Sequence, residues 1–174
     1  MVARSLITAI AVISGVIAAG APAIAFAQSA PNVVATYRDW NVFTRKTGDD
    51  LVCFAVSEPK DKSPKNVSHG DVFMLVSTWK SGVAREQPSF MAGYNFRDRS
   101  TPSVRVGTDK WDMYVSDNEA FIEKTVDEQK LLQAMRRGST MRVQATSGRG
   151  TVTNYEISLL GISAALDRMT KECS

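Results

Sequence analysis

The sequence predicts a mainly β domain, an antiparallel β-sandwich or barrel-like fold with two short helices, the C-terminal one packed on the sheet. Three observations carry this expectation. Short runs rich in β-branched and aromatic residues recur along the chain, each bounded by Gly, Pro, Asp, Asn or Ser. Helical periodicity surfaces in two places, around Leu131 and around Leu166. Two cysteines, Cys53 and Cys173, lie near opposite ends behind an apolar leader.

The leader is set aside first. Arg4 supplies its one charge, an apolar stretch runs from Leu6, and Pro22 breaks it. Ala25-Phe26-Ala27 then offers the small-x-small pattern of a signal-peptidase site, with cleavage expected between Ala27 and Gln28. The competing reading is an uncleaved membrane helix, which reaches spanning length only if Pro22 lies inside it. No cysteine stands at the cleavage point, so a lipoprotein anchor is not expected. The predicted organisation is a signal peptide over residues 1–27, a lead-in over 28–36 and one β domain over 37–174.

Composition bounds the function. The chain has 174 residues and a formal net charge of +3, and the leader removes one basic residue from that surplus. Near-neutral charge without stacking aromatics beside basic clusters gives no case for nucleic-acid binding.

The strands follow in order. Trp40–Thr44 turns through Lys46–Asp50 into Leu51–Ser57, and Glu58–Gly70 is a charged, Pro-containing loop. Asp71–Trp79 alternates Val72, Met74 and Val76 on one face with Phe73, Leu75 and Ser77 on the other. Ser89–Phe96, Val104–Val106, Trp111–Val115 and Ala120–Glu123 are shorter candidates. A helix begins at Thr125, where Thr125 and Glu128 fit a capping box, and Gly138 is expected as its left-handed stop. Strands Thr140–Thr146 and Val152–Leu159 flank the hairpin Ser147-Gly148-Arg149-Gly150, and a second helix runs from about Ile162 to Lys171.

The cysteines fit that scheme. Ile162, Leu166, Met169 and Cys173 recur at helical spacing, so Cys173 points where the core lies. In the second strand Leu51, Cys53 and Ala55 share one face, and Val52, Phe54 and Val56 the other. Both faces are apolar, so the strand is expected to be covered on both sides. Laying the last helix over the Cys53 face brings the sulfurs together. Such a bridge closes a loop of about 120 residues, worth about 4–5 kcal/mol in the chain-entropy account. The alternatives are two buried free thiols or a bridge between molecules. Exported free thiols tend to oxidise, and no Cys-x-x-Cys marks a redox role.

No catalytic set emerges, and the protein is expected to be non-enzymatic. His69, the sole histidine, sits in a loop of turn composition and is expected on the surface. One histidine and two cysteines cannot assemble a usual zinc site, and Asp49-Asp50 lacks a calcium ladder. No metal and no cofactor are expected. Gly148-Arg149-Gly150 is too short to cradle phosphate, and Asn66-Val67-Ser68 matches a glycosylation acceptor over three residues. Arg97, Arg99, Arg105, Arg136, Arg137 and Arg142 form either a basic patch or, as expected, an ordinary solvated surface. Trp40, Trp79 and Trp111 are expected to pack in the core.

Three pieces together resemble the invasion-associated locus B family of exported Gram-negative proteins: Asp39-Trp40-Asn41-Val42 with Cys53 in the next strand; Leu131-Leu132-Gln133-Ala134-Met135-Arg136-Arg137-Gly138; and Tyr155 to Leu166, ending at Cys173. The resemblance covers about residues 37–173. Ile162 stands where the family commonly has an aromatic residue, and the second cysteine pair of many relatives has no counterpart here. The resemblance implies a small periplasmic or secreted β domain of the cell envelope. From it follows the expected function: binding an envelope component or a partner protein, an unidentified envelope or host protein. The alternative is binding or sensing of a periplasmic small molecule, and the membrane enters only through an uncleaved leader.

Overall fold

A computed structural model describes residues 30–174, and the expected signal peptide and its Ala27/Gln28 junction lie outside the described residues. Twelve strands and two helices follow in the order β1 (Asn32–Tyr37), β2 (Trp40–Thr47), β3 (Asp50–Ser57), β4 (Asp61–Ser63), β5 (Phe73–Trp79), β6 (Gln87–Met91), β7 (Ser103–Val106), β8 (Asp109–Asp112), β9 (Tyr114–Ser116), β10 (Glu119–Phe121), α1 (Thr125–Arg137), β11 (Thr140–Thr146), β12 (Val152–Ser158) and α2 (Ile162–Glu172). They form two antiparallel sheets. The larger has seven strands ordered β1-β2-β3-β5-β6-β10-β9, and the smaller has five ordered β4-β12-β11-β7-β8. Neither closes into a barrel, so the sandwich form of the expected fold is the one adopted.

Alternation builds the core. One face of the larger sheet buries Trp40, Val42, Cys53, Ala55, Met74, Val76, Phe90 and Ala120. The smaller sheet answers with Val104, Val106, Met141, Val143, Tyr155 and Ile157. The two layers meet where the Phe90 and Tyr155 rings lie 5.2 Å apart. Helix α2 covers the remaining inner surface, packing on β1, β2, β3 and β5 through Ile162, Ala165, Leu166 and Met169. Each of the three larger side chains stabilises the fold by about 1.5–3 kcal/mol. Helix α1 adds Leu131, Leu132 and Met135 to the same core.

The disulfide forms as the periodicity suggested. Cys53 and Cys173 are bonded with their Cα atoms 5.9 Å apart, and the bridge fastens the end of α2 to central strand β3.

Several local expectations are corrected. Strand β1 takes up the second half of the segment read as a lead-in and ends one residue beyond it, and β4 lies within the loop after β3. The run Trp111–Val115 is two strands in different sheets: β8 ends at Asp112, Met113 is buried between the layers, and β9 continues on the larger sheet. The strand expected over Ser89–Phe96 is β6, which ends at Met91, and Phe96 makes a lone bridge to Ser147. Helix α1 begins at Thr125 as expected, but Lys124 is its N-cap and no side chain caps it. Gly138 is extended (φ −84°, ψ 169°), not left-handed. Its glycine answers a packing need, since a Cβ there would stand 2.7 Å from Val106 Cγ1 and 3.0 Å from Leu159 Cδ1.

Replacing both cysteines (Cys53→Ser with Cys173→Ser) should lower the unfolding free energy in urea by about 4–5 kcal/mol, since the closed loop spans 120 residues. A loss below about 1 kcal/mol would mean that the bridge does not restrain the unfolded chain as a long loop should.

Candidate functional site

Because neighbouring side chains on a strand point to opposite faces, an inward Cys53 sends Val52, Phe54 and Val56 outward. Register then assembles the outer face. Phe43 pairs with Phe54, and their rings stack at 5.4 Å. Val56 pairs with Leu75, Val52 with Trp79, and Phe73 with Met91. Phe121, opposite Ser89, stacks on Tyr114 at 5.7 Å. Val33, paired with Phe43 on edge strand β1, is 67% exposed.

Among the described residues no element covers this face. Phe43, Phe54, Val56, Phe73, Leu75, Trp79, Met91 and Phe121 are half-buried around an open groove of about 550 Å³. The expectation that β3 would be covered on both sides is therefore corrected: one side is sealed and the other lines the groove. Trp40 meets its expected core role, fully buried with Nε1–H donating to Ser158 O at 2.9 Å, and Trp111, half-buried beside α1, packs against the core, whereas Trp79 belongs to the groove.

Polar groups sit at the margins of the groove. Arg45 opposes Val52 at one corner, and Glu119 opposes Met91 near the diagonally opposite one. Arg45 forms no ion pair among the described residues, and its Nε is buried without a hydrogen-bond partner. Thr47, two positions further along the same face of β2, has a buried Oγ1 that also lacks a partner. These two are the described residues' unpaired buried side-chain polar atoms.

His69 is the second correction. It is buried, 8% exposed, rather than a surface loop residue. Nε2 lies 2.9 Å from Pro64 O, an acceptor only, so in the neutral ring Nε2 donates and Nδ1 accepts from the Tyr155 hydroxyl at 2.9 Å. Tyr155 Oη is 3.1 Å from Tyr94 Oη, which is 2.6 Å from Thr153 Oγ1. Burial pushes the Tyr155 phenol well above its ordinary range, so it stays a neutral hydroxyl. The chain ties the loop before β5 to the smaller sheet. Beyond it lies a polar concavity of about 690 Å³ shared by Asn66-Val67-Ser68 and the Gly148–Arg149 turn.

The remaining candidates have structural duties. Asp50 accepts from Ser81 Oγ at 2.5 Å and from the backbone N–H of Leu51 and Ser81, and the Ser81 bond leads in holding its carboxyl below the ordinary value. Asp49 is exposed in the same turn. Of the six candidate arginines, Arg105 and Arg142 are paired on adjacent strands β7 and β11. Arg136 bonds Asp167 at 2.8 Å and Glu86 at 3.3 Å, and Arg142 bonds Glu156 at 3.0 Å.

The N-terminal and C-terminal motifs clasp each other. Asp39 N–H donates to Leu160 O at 3.3 Å. Its carboxylate pairs with Lys60 at 2.6 Å, and that bond, with one from Ser158, holds the carboxyl below its usual range. Gly161 (φ +96°) lies so close that a Cβ would stand 2.0 Å from Tyr37 O.

These features define an antiparallel two-sheet β domain with one long-range staple, clasped ends and an uncovered apolar face. The Invasion associated locus B (IalB) protein family matches residues 40–170, three quarters of the chain, and the protein belongs to that family. It is an envelope-associated family, linked to invasion by its name. No curated protein and no solved structure matches the chain. Among the described residues no helix is long and apolar enough to cross a membrane.

Gly161→Ala should cost about 3 kcal/mol or more, because backbone clash and positive φ add at one position. Gly48→Ala, also at positive φ (+59°) but with no atom within 4 Å of the added Cβ, should cost about 1 kcal/mol. Equal losses in thermal unfolding would remove the clasp as the reason for a glycine at 161.

Proposed function

We propose that this protein is a non-enzymatic domain of the cell envelope, periplasmic or secreted after loss of its leader, that binds an envelope component or a partner through the open face of its larger sheet. One observation carries the reading. The inner face of the sheet is sealed by a second sheet and a helix, while a comparable set of apolar side chains on its outer face stays half-exposed around a groove. Contiguous exposed apolar surface costs solubility, and in soluble proteins it commonly marks an interaction site. The disulfide suits an oxidising compartment. Near-balanced charge gives nucleic acid no hold on the domain.

The small-molecule reading draws on the same groove. Its volume of about 550 Å³ falls in the ligand-site range of about 300–1,000 Å³. The interior, by contrast, is filled by Trp40, Phe90, Tyr155 and a run of methionines. A ligand would therefore sit on the domain rather than inside it.

An environment-sensitive apolar dye tests both forms of the reading. The mature chain should enhance the emission of anilinonaphthalene sulfonate, and Phe54→Ser with Phe73→Ser should reduce that enhancement severalfold while the melting transition stays cooperative. Unchanged enhancement in the folded variant would dismiss the outer face as a binding surface.

A further inference from the structure

We infer that the groove takes a single-chain anionic amphiphile, a long-chain fatty carboxylate, with its head at Arg45 and its tail laid across the strands. The inference rests on the binding reading above and names its ligand. Its basis is the polarity of the groove. Phe43, Phe54, Val56, Leu75 and Phe73 give a continuous apolar floor, whereas Arg45, whose Nε has no hydrogen-bond partner, stands at its β2 corner. Arg45 Nε–H is a donor only. A donor left unpaired in a buried position is destabilising. An anionic head placed at that corner pairs with a guanidinium that has no carboxylate partner among the described residues.

Shape and charge agree on which way the ligand lies. From β2 to β10 the groove crosses four interstrand steps, roughly 19 Å. That is a path for a slender chain. Glu119 at the far corner repels a carboxylate and fixes the head at the Arg45 end. A second copy of this chain is the strongest competitor, since a two-fold axis through the middle of the face would set Arg45 against the partner's Glu119. Two grooves pressed together, however, would enclose empty space where close packing is required. A linear tail fills the groove without that loss.

The test uses the mature chain (residues 28–174) with palmitate, laurate and hexadecanol below their aggregation concentrations, read by calorimetry and by displacement of the dye. Palmitate should bind one to one. Shortening it to laurate should weaken binding by roughly fourfold for each methylene that leaves the groove. Arg45→Gln should weaken palmitate by about 10- to 100-fold and leave hexadecanol unchanged, and Arg45→Lys should recover part of the loss. Phe54→Ser should weaken palmitate and hexadecanol alike.

Equal sensitivity of palmitate and hexadecanol to Arg45→Gln, or none, would overturn the head assignment while leaving an apolar-binding groove in place. Failure of palmitate to bind or to displace a dye that still requires Phe54 would overturn the fatty-carboxylate identity alone. Sedimentation velocity showing a dimer that Phe54→Ser dissociates would give the face to a second copy. If neither dye nor amphiphile responds to Phe54→Ser, the binding reading itself fails with the inference.

Discussion

The covalent tie between Cys53 and Cys173 decides which way the larger sheet faces. A strand has two faces and a period of two, so fixing one side chain inward fixes every other on that strand. With Cys53 bonded to the end of α2, Leu51 and Ala55 share the covered side, and Val52, Phe54 and Val56 are committed to the other. Antiparallel register passes the choice to β2 on one side and to β5, β6 and β10 on the other. The same bond that holds the tail therefore determines which apolar set becomes core and which becomes the groove. A one-residue slip of β3 would put Phe54 beneath α2 and Cys53 out of reach of its partner.

Much of this was legible in the chain. The helical recurrence of Ile162, Leu166, Met169 and Cys173, with the alternation around Cys53, anticipates the bridge and the place of α2. The two-faced apolar pattern of β3 also announces the groove, yet it reads most simply as double burial. Local sequence cannot tell an apolar face covered by its own chain from one left open, because the difference lies in whether another element reaches it. Two layers and one helix suffice for the inner face, and no described element reaches the outer one. His69 escaped for a related reason: its loop has turn composition, but its partner Tyr155 lies 86 residues away. The break at Met113 is also non-local, since the chain changes sheet inside a run that looks like one strand.

The motifs that place the chain in its family do structural work. Trp40 is fully buried against the end of β12, Asp39 bonds Leu160 and Lys60, and Gly161 admits the Tyr37 carbonyl. Leu131, Leu132 and Met135 of the middle motif are core residues of α1. These positions clasp the N-terminal hairpin to the C-terminal helix. On the proposed reading, fold and function would separate along this line, as they do where sites are grafted onto scaffolds. The outward side chains of β2, β3, β5, β6 and β10 carry none of that clasp, so the groove can differ in chemistry without loss of the architecture.

That separation bears on how the groove would work. A site enclosed between the sheets would have to displace Trp40, Phe90 or Tyr155 to admit a ligand, at a cost of several kcal/mol in lost packing. The outer face demands no such opening, because its aromatic floor already stands in place on paired strands. Binding there gives up little conformational entropy beyond that of the rim side chains, and pre-organisation of this kind converts apolar contact into affinity efficiently. The exposed face carries an aggregation hazard, and its polar interruptions limit it. Ser77, Gln87 and Ser89 break the apolar surface on β5 and β6, and Arg45 and Glu119 set unlike charges at its corners. A sheet made solely for stability would gain from hydrocarbon at Arg45. The guanidinium is retained where its Nε has no partner within the domain, which is the arrangement a site needs if recognition of charge is to come from the ligand.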